Sequence, residues 1–302
     1  MAAQGTQDVK GYVKPDIVFT HDPCPDGFSC RIHFENAFST EKIDYRPWRH
    51  GGQHDFTNVQ DKCVWIVDAC PSMKELTDNL ALCKRILCID HHDSDATTDI
   101  EAKSKSLNNV VMKFDRSGIK CGSLMLFEEL NPGKAIPAWQ VAINKGDTNL
   151  IYKRTNEEEA YHAFLTSKDA MSSIQAFRKA TETDIKEATS KGFVLIKPYQ
   201  DEAKQAAQHV EVKEVKCADR TYRAGYVKAS CAQSLPYITK EVFLHHKDKL
   251  DLVCLQWSNG DVKQISLRSL PNKQVNVSKI AALYGGGGHP LASGVQNKLY
   301  LE

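Results

Sequence analysis

The sequence predicts an α/β protein in two parts: a parallel sheet with helices on both faces, then a helical linker leading to a smaller α/β unit. Three observations predict it. Short runs that are apolar on both faces alternate with helical stretches over roughly the first 115 residues, the pattern of a sheet covered on both sides. A mostly polar, helical stretch follows from Ala135 to about Val212, and strand-and-turn patterning then returns. At 302 residues the chain has room for two cores. The expected division is 1–180 for the sheet unit, 181–212 for the linker and 213–302 for the smaller unit.

Taken in order, Asp16–Thr20 (DIVFT) is a β-branched run that stops at His21, and Gly27–Phe38 carries apolar residues at helical spacing. Cys63–Ala69 (CVWIVDA) is a near-continuous apolar strand. Pro71 and Ser72 then signal a helix over Met73–Lys84. Arg85–Asp90 and Val110–Phe114 read as further strands and Cys121–Leu130 as helix. Thr181–Val212 reads as a long helix interrupted near Pro198. Beyond it, Thr221–Ala229, Leu250–Trp257 and Val262–Leu270 are strands, with Asn259–Gly260 turning between the last two, and Ser278–Tyr284 is a short helix that runs into four glycines.

Composition excludes several classes. With 41% hydrophobic and 25% charged residues the chain is neither collagenous nor disordered. No apolar run approaches the ~20 residues that span a bilayer, so no membrane association is expected. Met1–Lys14 carries neither a secretory nor an organellar signature, which points to the cytosol. The ten cysteines include no C-x-x-C pair and read as reduced thiols, most of them small core residues. Net charge is +1, but unevenly placed: residues 213–302 hold 13 Lys+Arg against 7 Asp+Glu (+6), leaving 26 against 31 (−5) for the rest. An acidic part that holds cations and a basic part that holds an anionic substrate would divide charge this way; uneven solvated charge would too.

Metal-ligand residue types stand directly after strand-like runs at His21, Asp22 and Asp26 (HDPCPDG), at Asp68 (WIVDACP) and at Asp90-His91-His92 (CIDHHDS). Asp147 follows a helical stretch. One Asp at a strand end is commonly a cap or turn residue. Several at successive strand ends converge, because parallel strands bring their carboxyl ends to one edge, and carboxylates forced together repel unless cations lie between them. Carboxylates with imidazoles suit Mn²⁺, Mg²⁺, Zn²⁺ or Fe²⁺, and the chemistry such a set serves is two-metal hydrolysis of phosphate esters.

These motifs resemble those of the DHH phosphoesterases, the superfamily of RecJ-like and nano-RNase-like enzymes. Asp90-His91-His92 matches the motif that names the family, and HDPCPDG, Asp68 and Asp147 match the others. Gly285–Gly294 (GGGGHPLASG) resembles the signature of the DHHA1 domain that follows the catalytic domain in many members. The resemblance implies metal ligation by His21, Asp26, Asp68, His91 and Asp147, with Asp68 as the bridge and two divalent ions, Mn²⁺ ahead of Mg²⁺. It implies that Asp90 orients its neighbouring histidine or sits close to the metals, and that His92 faces the phosphate or protonates the leaving oxygen. Many members have Asp two positions after the first His, where this chain has Pro23; Asp22 is the candidate to replace it. For substrate contact the candidates are Gly286, Gly287, Gly288, His289 and Ser293, with Arg268 and Arg116 as phosphate-holding cations. A flexible loop and ordinary salt bridges are the plainer readings of these.

The resulting expectation is a phosphodiesterase that releases 5′-mononucleotides from short single-stranded RNA or DNA or from dinucleotides. Pyrophosphatase or exopolyphosphatase activity, and a non-catalytic nucleotide-binding protein, are the alternatives. The sequence leaves open whether the chain forms a homodimer. Cys24 reads as structural, His245-His246 as solvent-exposed, and Trp48, Trp65, Trp139 and Trp257 as core.

Overall fold

The computed structural model describes residues 12–296 apart from 39–41, 50–51, 93–94, 149–152, 168–173, 175, 177–178, 218–219 and 274. The chain divides into two compact units, the first through Gly192 and the second from Phe193. That division falls inside the helix Glu182–Ala206, within the stretch the sequence suggests as a linker. Among the described residues no helix is long and apolar enough to cross a membrane.

In the first unit five parallel strands form one sheet in the order β2-β1-β3-β4-β5: β1 (Ile17–His21), β2 (Asp44–Trp48), β3 (Cys63–Val67), β4 (Arg85–Asp90) and β5 (Val110–Phe114). The side-chain period of two sends alternate residues to opposite faces. Ile17, Phe19, Val64, Ile66, Ile86 and Cys88 join the core on one side. Val18, Trp65, Val67, Leu87 and Ile89 meet Cys30 and Phe34 of α1 (Pro25–Ala37) and Leu126 of α3 (Gly122–Leu130) on the other. Emptying one such position, Phe34→Ala for example, costs about 3–5 kcal/mol.

β2 has no counterpart in the sequence reading. It is an edge strand, half-exposed and containing Pro47, and so lacks the apolar run that marks β3 and β4. The helix expected over Met73–Lys84 is also shorter, closing in a π-turn at Glu75–Asn79, where the Glu75 carboxylate accepts from Ser72 N and Oγ and from His54. α2 (Asp95–Ser104), α4 (Ala138–Asp147) and α5 (Asn156–Leu165) complete the unit with the first part of α6 (Glu182–Ala206).

Contrary to the expected interruption, α6 runs through Pro198. Proline removes one helix hydrogen bond, but Ile196 and Ala203 on either side of it are fully buried, and that packing holds the helical turns before and after it.

The second unit has a mixed six-stranded sheet in the order β10-β11-β9-β8-β7-β6, with β7 (Arg220–Lys228) and β8 (Leu252–Asn259) parallel and the other pairs antiparallel. β6 is Glu211–Cys217, β9 Val262–Arg268, β10 Gly287–His289 and β11 Ala292–Gln296. One face packs Leu252 and Cys254 with α8 (Val277–Leu283), the other Val253 and Leu255 with α7 (Leu235–His246). All ten cysteines are free thiols.

Candidate active site

The order 2-1-3-4-5 reverses direction between β1 and β3, and in doubly wound sheets the crevice at that reversal, beyond the carboxyl ends of the strands, is where ligands bind. His21 ends β1, Asp68 follows β3, Asp90 ends β4, and Asp26 lies in the first turn of α1. Close packing brings the last of these in. A Cβ on Gly27 would stand 2.0 Å from the His21 carbonyl oxygen, so only glycine lets the start of α1 lie against the end of β1. Gly122 does the same beneath Asp68, where a Cβ would meet the Asp68 Cβ at 2.8 Å.

Asp68 itself has φ +58°, a left-handed conformation that costs a non-glycine residue about 1–3 kcal/mol and is held by its surroundings. Its backbone N–H donates to the Ile89 carbonyl at 3.0 Å.

The side chains converge on His91. Its Nε2 lies 3.2 Å from Asp147 Oδ2, 3.3 Å from Asp68 Oδ1 and 4.0 Å from Asp26 Oδ2, and His21 Nδ1 lies 3.6 Å from Asp68 Oδ2. Asp26, Asp68, Asp90 and His91 are all buried. Burial disfavours charge on His91, but Asp147 and Asp68 outweigh it and push its pKa well above the ordinary histidine range. Burial, then the neighbouring Asp68 and Asp147, push the Asp26 carboxyl up. Burial acts the same way on Asp68, where the neighbouring imidazoles of His21 and His91 prevail and hold it down. A proton on His91 thus does in part what a cation would do among these carboxylates.

Asp90 orients His92 rather than His91. Its Oδ1 accepts from His92 Nδ1 at 2.7 Å as well as from the His91 backbone N–H at 2.8 Å. Burial opposes protonation of His92, yet Asp90 and then Asp68 raise its pKa to about 9.

Asp26 is fixed by a buried relay of side chains that sequence reasoning did not find. His33 Nε2 donates to Gln140 Oε1 (2.7 Å), Gln140 Nε2 to Ser123 Oγ (2.8 Å), and Ser123 Oγ to Asp26 Oδ1, which also accepts from Ser123 N (3.0 Å). His33 stacks on Trp139 at 5.1 Å between ring centres, and burial lowers its pKa to about 4, partly offset by Gln140. Only a helical spacing shared by Ser29, Ile32 and His33 in α1 hinted that these residues face inward.

Three groups of donors lie within 4.8 Å of one another: Asp68 with Asp90, His91 and His92; Asp26 with His91 and Asp147; and His21 with Cys24 and Asp68. Asp68 and His91 each belong to two of them. Asp22, the carboxylate suggested to replace Pro23, belongs to none of these groups: its Oδ2 pairs with Arg49 Nη2 at 3.1 Å.

The outlying candidates fare differently. Arg116 is ion-paired to Glu101 at 2.7 Å and lies over the Phe114 ring, held by its own unit. In the second unit the glycine run enters a hairpin. Gly285, with φ +75°, closes the end of α8, and Gly287, Gly288 and His289 pair with Gly294, Ser293 and Ala292 across Pro290-Leu291. Ser293 is buried and its hydroxyl donates to the His289 carbonyl at 2.8 Å; Arg268 donates to the Leu267 carbonyl at 2.9 Å. Gly286 donates its N–H to Ala281. His245 is exposed beside Glu241, and His246 bonds the Ala207 carbonyl. Trp48, Trp65 and Trp139 are buried and Trp257 partly so.

No family model matches the sequence, and no curated protein matches it. Solved structures do. The pGpG-specific phosphodiesterase PggH from Vibrio cholerae superposes with a TM-score of 0.50 at 13% identity, over 93% of this chain and 92% of that one. An exopolyphosphatase-related protein from Bacteroides fragilis gives 0.45 at 13% identity over 95% and 88%, and Mn²⁺-bound RecJ from Thermus thermophilus 0.46 at 12% over 92% and 49%. At such identities the likeness is one of fold. A parallel five-stranded sheet followed by a second, mixed-sheet unit defines a two-domain α/β class. Within it, the chain shares its fold with the PggH structure, a two-domain α/β fold of the kind the motifs led one to expect.

Proposed function

We propose that this protein is a divalent-metal-dependent phosphodiesterase that hydrolyses dinucleotides or short oligonucleotides to 5′-mononucleotides. The observation that carries the reading is a set of buried carboxylate oxygens with no hydrogen-bond donor among the described residues, Asp26 Oδ2, Asp68 Oδ2 and Asp90 Oδ2, at the sheet's ligand-binding edge. Buried oxygens of this kind are costly unless a cation meets them, so the residues present fit a metal centre. Asp26, Asp68, His91 and Asp147, with His21, are the side chains that would hold two ions. Bound there, divalent ions polarise a phosphoryl oxygen and lower the pKa of an attacking water.

The chain's own groups supply the rest. The relay through Ser123 keeps Asp26 from rotating. Asp90 accepts a hydrogen bond from Nδ1–H of His92 and favours the protonated ring, whose Nε2–H can then bind a phosphoryl oxygen or give its proton to the leaving oxygen. The name of PggH supports a dinucleotide as substrate class.

The test is hydrolysis of a dinucleotide, a ~5-mer and a ~25-mer RNA beside pyrophosphate, with Mn²⁺ or Mg²⁺. Mononucleotide release from the two short substrates, absent in Asp68→Ala, is the expected result. Phosphate release from pyrophosphate alone would replace this reading with phosphoanhydride hydrolysis. Binding of nucleotides without turnover would replace it with a binding protein.

A further inference from the structure

We propose that Cys24 is a metal ligand whose thiolate completes, with His21 and Asp68, a mixed sulfur, nitrogen and oxygen site that selects Zn²⁺, Fe²⁺ or Co²⁺ over Mg²⁺. The inference rests on the metal-dependent reading above and narrows it.

Geometry is the first ground. Cys24 Sγ and one donor atom each from His21 and Asp68 all lie within 4.8 Å of one another. At metal bond lengths of about 2.0–2.3 Å, such donors need to close by only about an ångström to share one ion. Asp68 is the second and independent ground. Its side chain is 1% exposed, and Oδ2, the oxygen on the His21 side, accepts no hydrogen bond, His21 Nδ1 standing 3.6 Å away.

The local sequence places the sulfur. Pro25 confines the residue before it to extended backbone, and Cys24 has φ −145° and ψ 134°. Cys24 is the N-cap of α1, a position where Ser, Thr or Asp would stabilise the helix by about 0.5–2 kcal/mol, yet its side chain makes no cap bond. The nearby oxygen ligand that could have served instead, Asp22, is paired with Arg49.

The chemistry follows from the donor set. As the sulfur–metal bond forms, the S–H bond breaks and its proton leaves to solvent, with no change of oxidation state. A thiolate favours borderline ions and discriminates against Mg²⁺, which prefers oxygen donors. The Mn²⁺ preference implied by the family resemblance gives way, on this inference, to Zn²⁺, Fe²⁺ or Co²⁺.

The test loads full-length protein with Co²⁺ and records its absorption. A thiolate-to-cobalt charge-transfer band in the near ultraviolet is expected in the wild type and absent in Cys24→Ser. By competition titration, the variant is expected to bind Zn²⁺ at least tenfold more weakly, while Cys24→Asp shifts preference toward Mn²⁺ and Mg²⁺. Near-ultraviolet circular dichroism checks that the variants are folded. A measurement on the wild type alone avoids that question: Zn²⁺ should slow alkylation of Cys24 at least tenfold, read by peptide mass, and leave Cys231 in the second unit unaffected. A band that persists in Cys24→Ser, or equal alkylation with and without Zn²⁺ in protein that binds the ion, would overturn the thiolate ligand and leave the metal centre standing. Failure of the wild type to bind any divalent ion would overturn both.

Discussion

At the strand ends of the first unit, Asp26, Asp68, Asp90 and His91 are buried together, and three of the carboxylates keep an oxygen with no donor. In the second unit the buried polar side chains are hydroxyls: Ser234, Thr239, Ser266, Ser269 and Ser293. Thr239 donates to the Leu235 carbonyl, Ser293 to that of His289, and Ser266 accepts from the Trp257 indole. One unit therefore maintains a charged interior with carboxylate oxygens left unmet, and the other gives its buried hydroxyls backbone or side-chain partners of its own. A fold can afford the first only where something outside the polypeptide supplies the missing charge, which is why the chemistry is assigned to the first unit and, at most, substrate grip to the second.

The sharpest way to break this contrast is to remove one charged group. Asp68→Ala is expected to lower hydrolysis by 10³-fold or more, about 4 kcal/mol of transition-state stabilisation, and to lower metal stoichiometry as read by elemental analysis. An Asp68→Ala enzyme with near-normal turnover would end the assignment of chemistry to this cluster.

Next come the glycines that let the strand ends crowd. Gly27→Ala places a methyl group against the His21 carbonyl and is expected to cost about 3 kcal/mol in urea unfolding, with metal affinity falling as α1 is displaced. Gly260→Ala in the second unit, with open space around it, should cost only the about 1–2 kcal/mol of its left-handed backbone, φ +59°, and leave metal binding unchanged.

A pH titration separates the units more gently. His33 has a folded pKa of about 4 against about 6.5 when unfolded, so above that range both states are neutral and nothing is gained or lost. As pH falls from 6.5 toward 4, the unfolded chain binds a proton that the folded one does not, and stability is lost, about 2 kcal/mol by pH 5. His33→Gln is expected to flatten that slope in denaturation curves taken from pH 8 to 5. An unchanged slope would place the acid sensitivity elsewhere.

The smallest effect is expected at Ser293→Ala, which deletes one hydroxyl bond to the His289 carbonyl. About 1 kcal/mol of stability should go, with kcat and metal content unaltered. A large loss of kcat there would mean that the second unit takes part in the chemistry and would undo the contrast.

Much of this was legible in the residues. The apolar runs of β3 and β4 announce strands because both faces are buried, and Asp68 and Asp90-His91-His92 follow them directly. β2 was not legible, because an edge strand with Pro47 has no continuous apolar face. Nor was the relay His33–Gln140–Ser123–Asp26, whose members come from α1, α3 and α4 and meet only when those helices pack. Arg116 was legible only as two alternatives, a phosphate-holding cation or a salt bridge; the structure shows the partner of the second, Glu101, fifteen positions earlier in sequence.

What the sequence by itself determined is the alternation of strand and helix and the residue types at the strand ends, since both follow from local periodicity and from the direction parallel strands impose. What only the tertiary structure decided is which of those residues share a site. Asp22 and Cys24 are two positions apart, and the sequence favoured Asp22 as the ligand, yet Arg49, 27 positions on, pairs with Asp22 while the Cys24 sulfur lies within 4.8 Å of donor atoms of His21 and Asp68. Ligand sets depend on distances of a few ångströms between atoms far apart in the chain, and no local pattern encodes them.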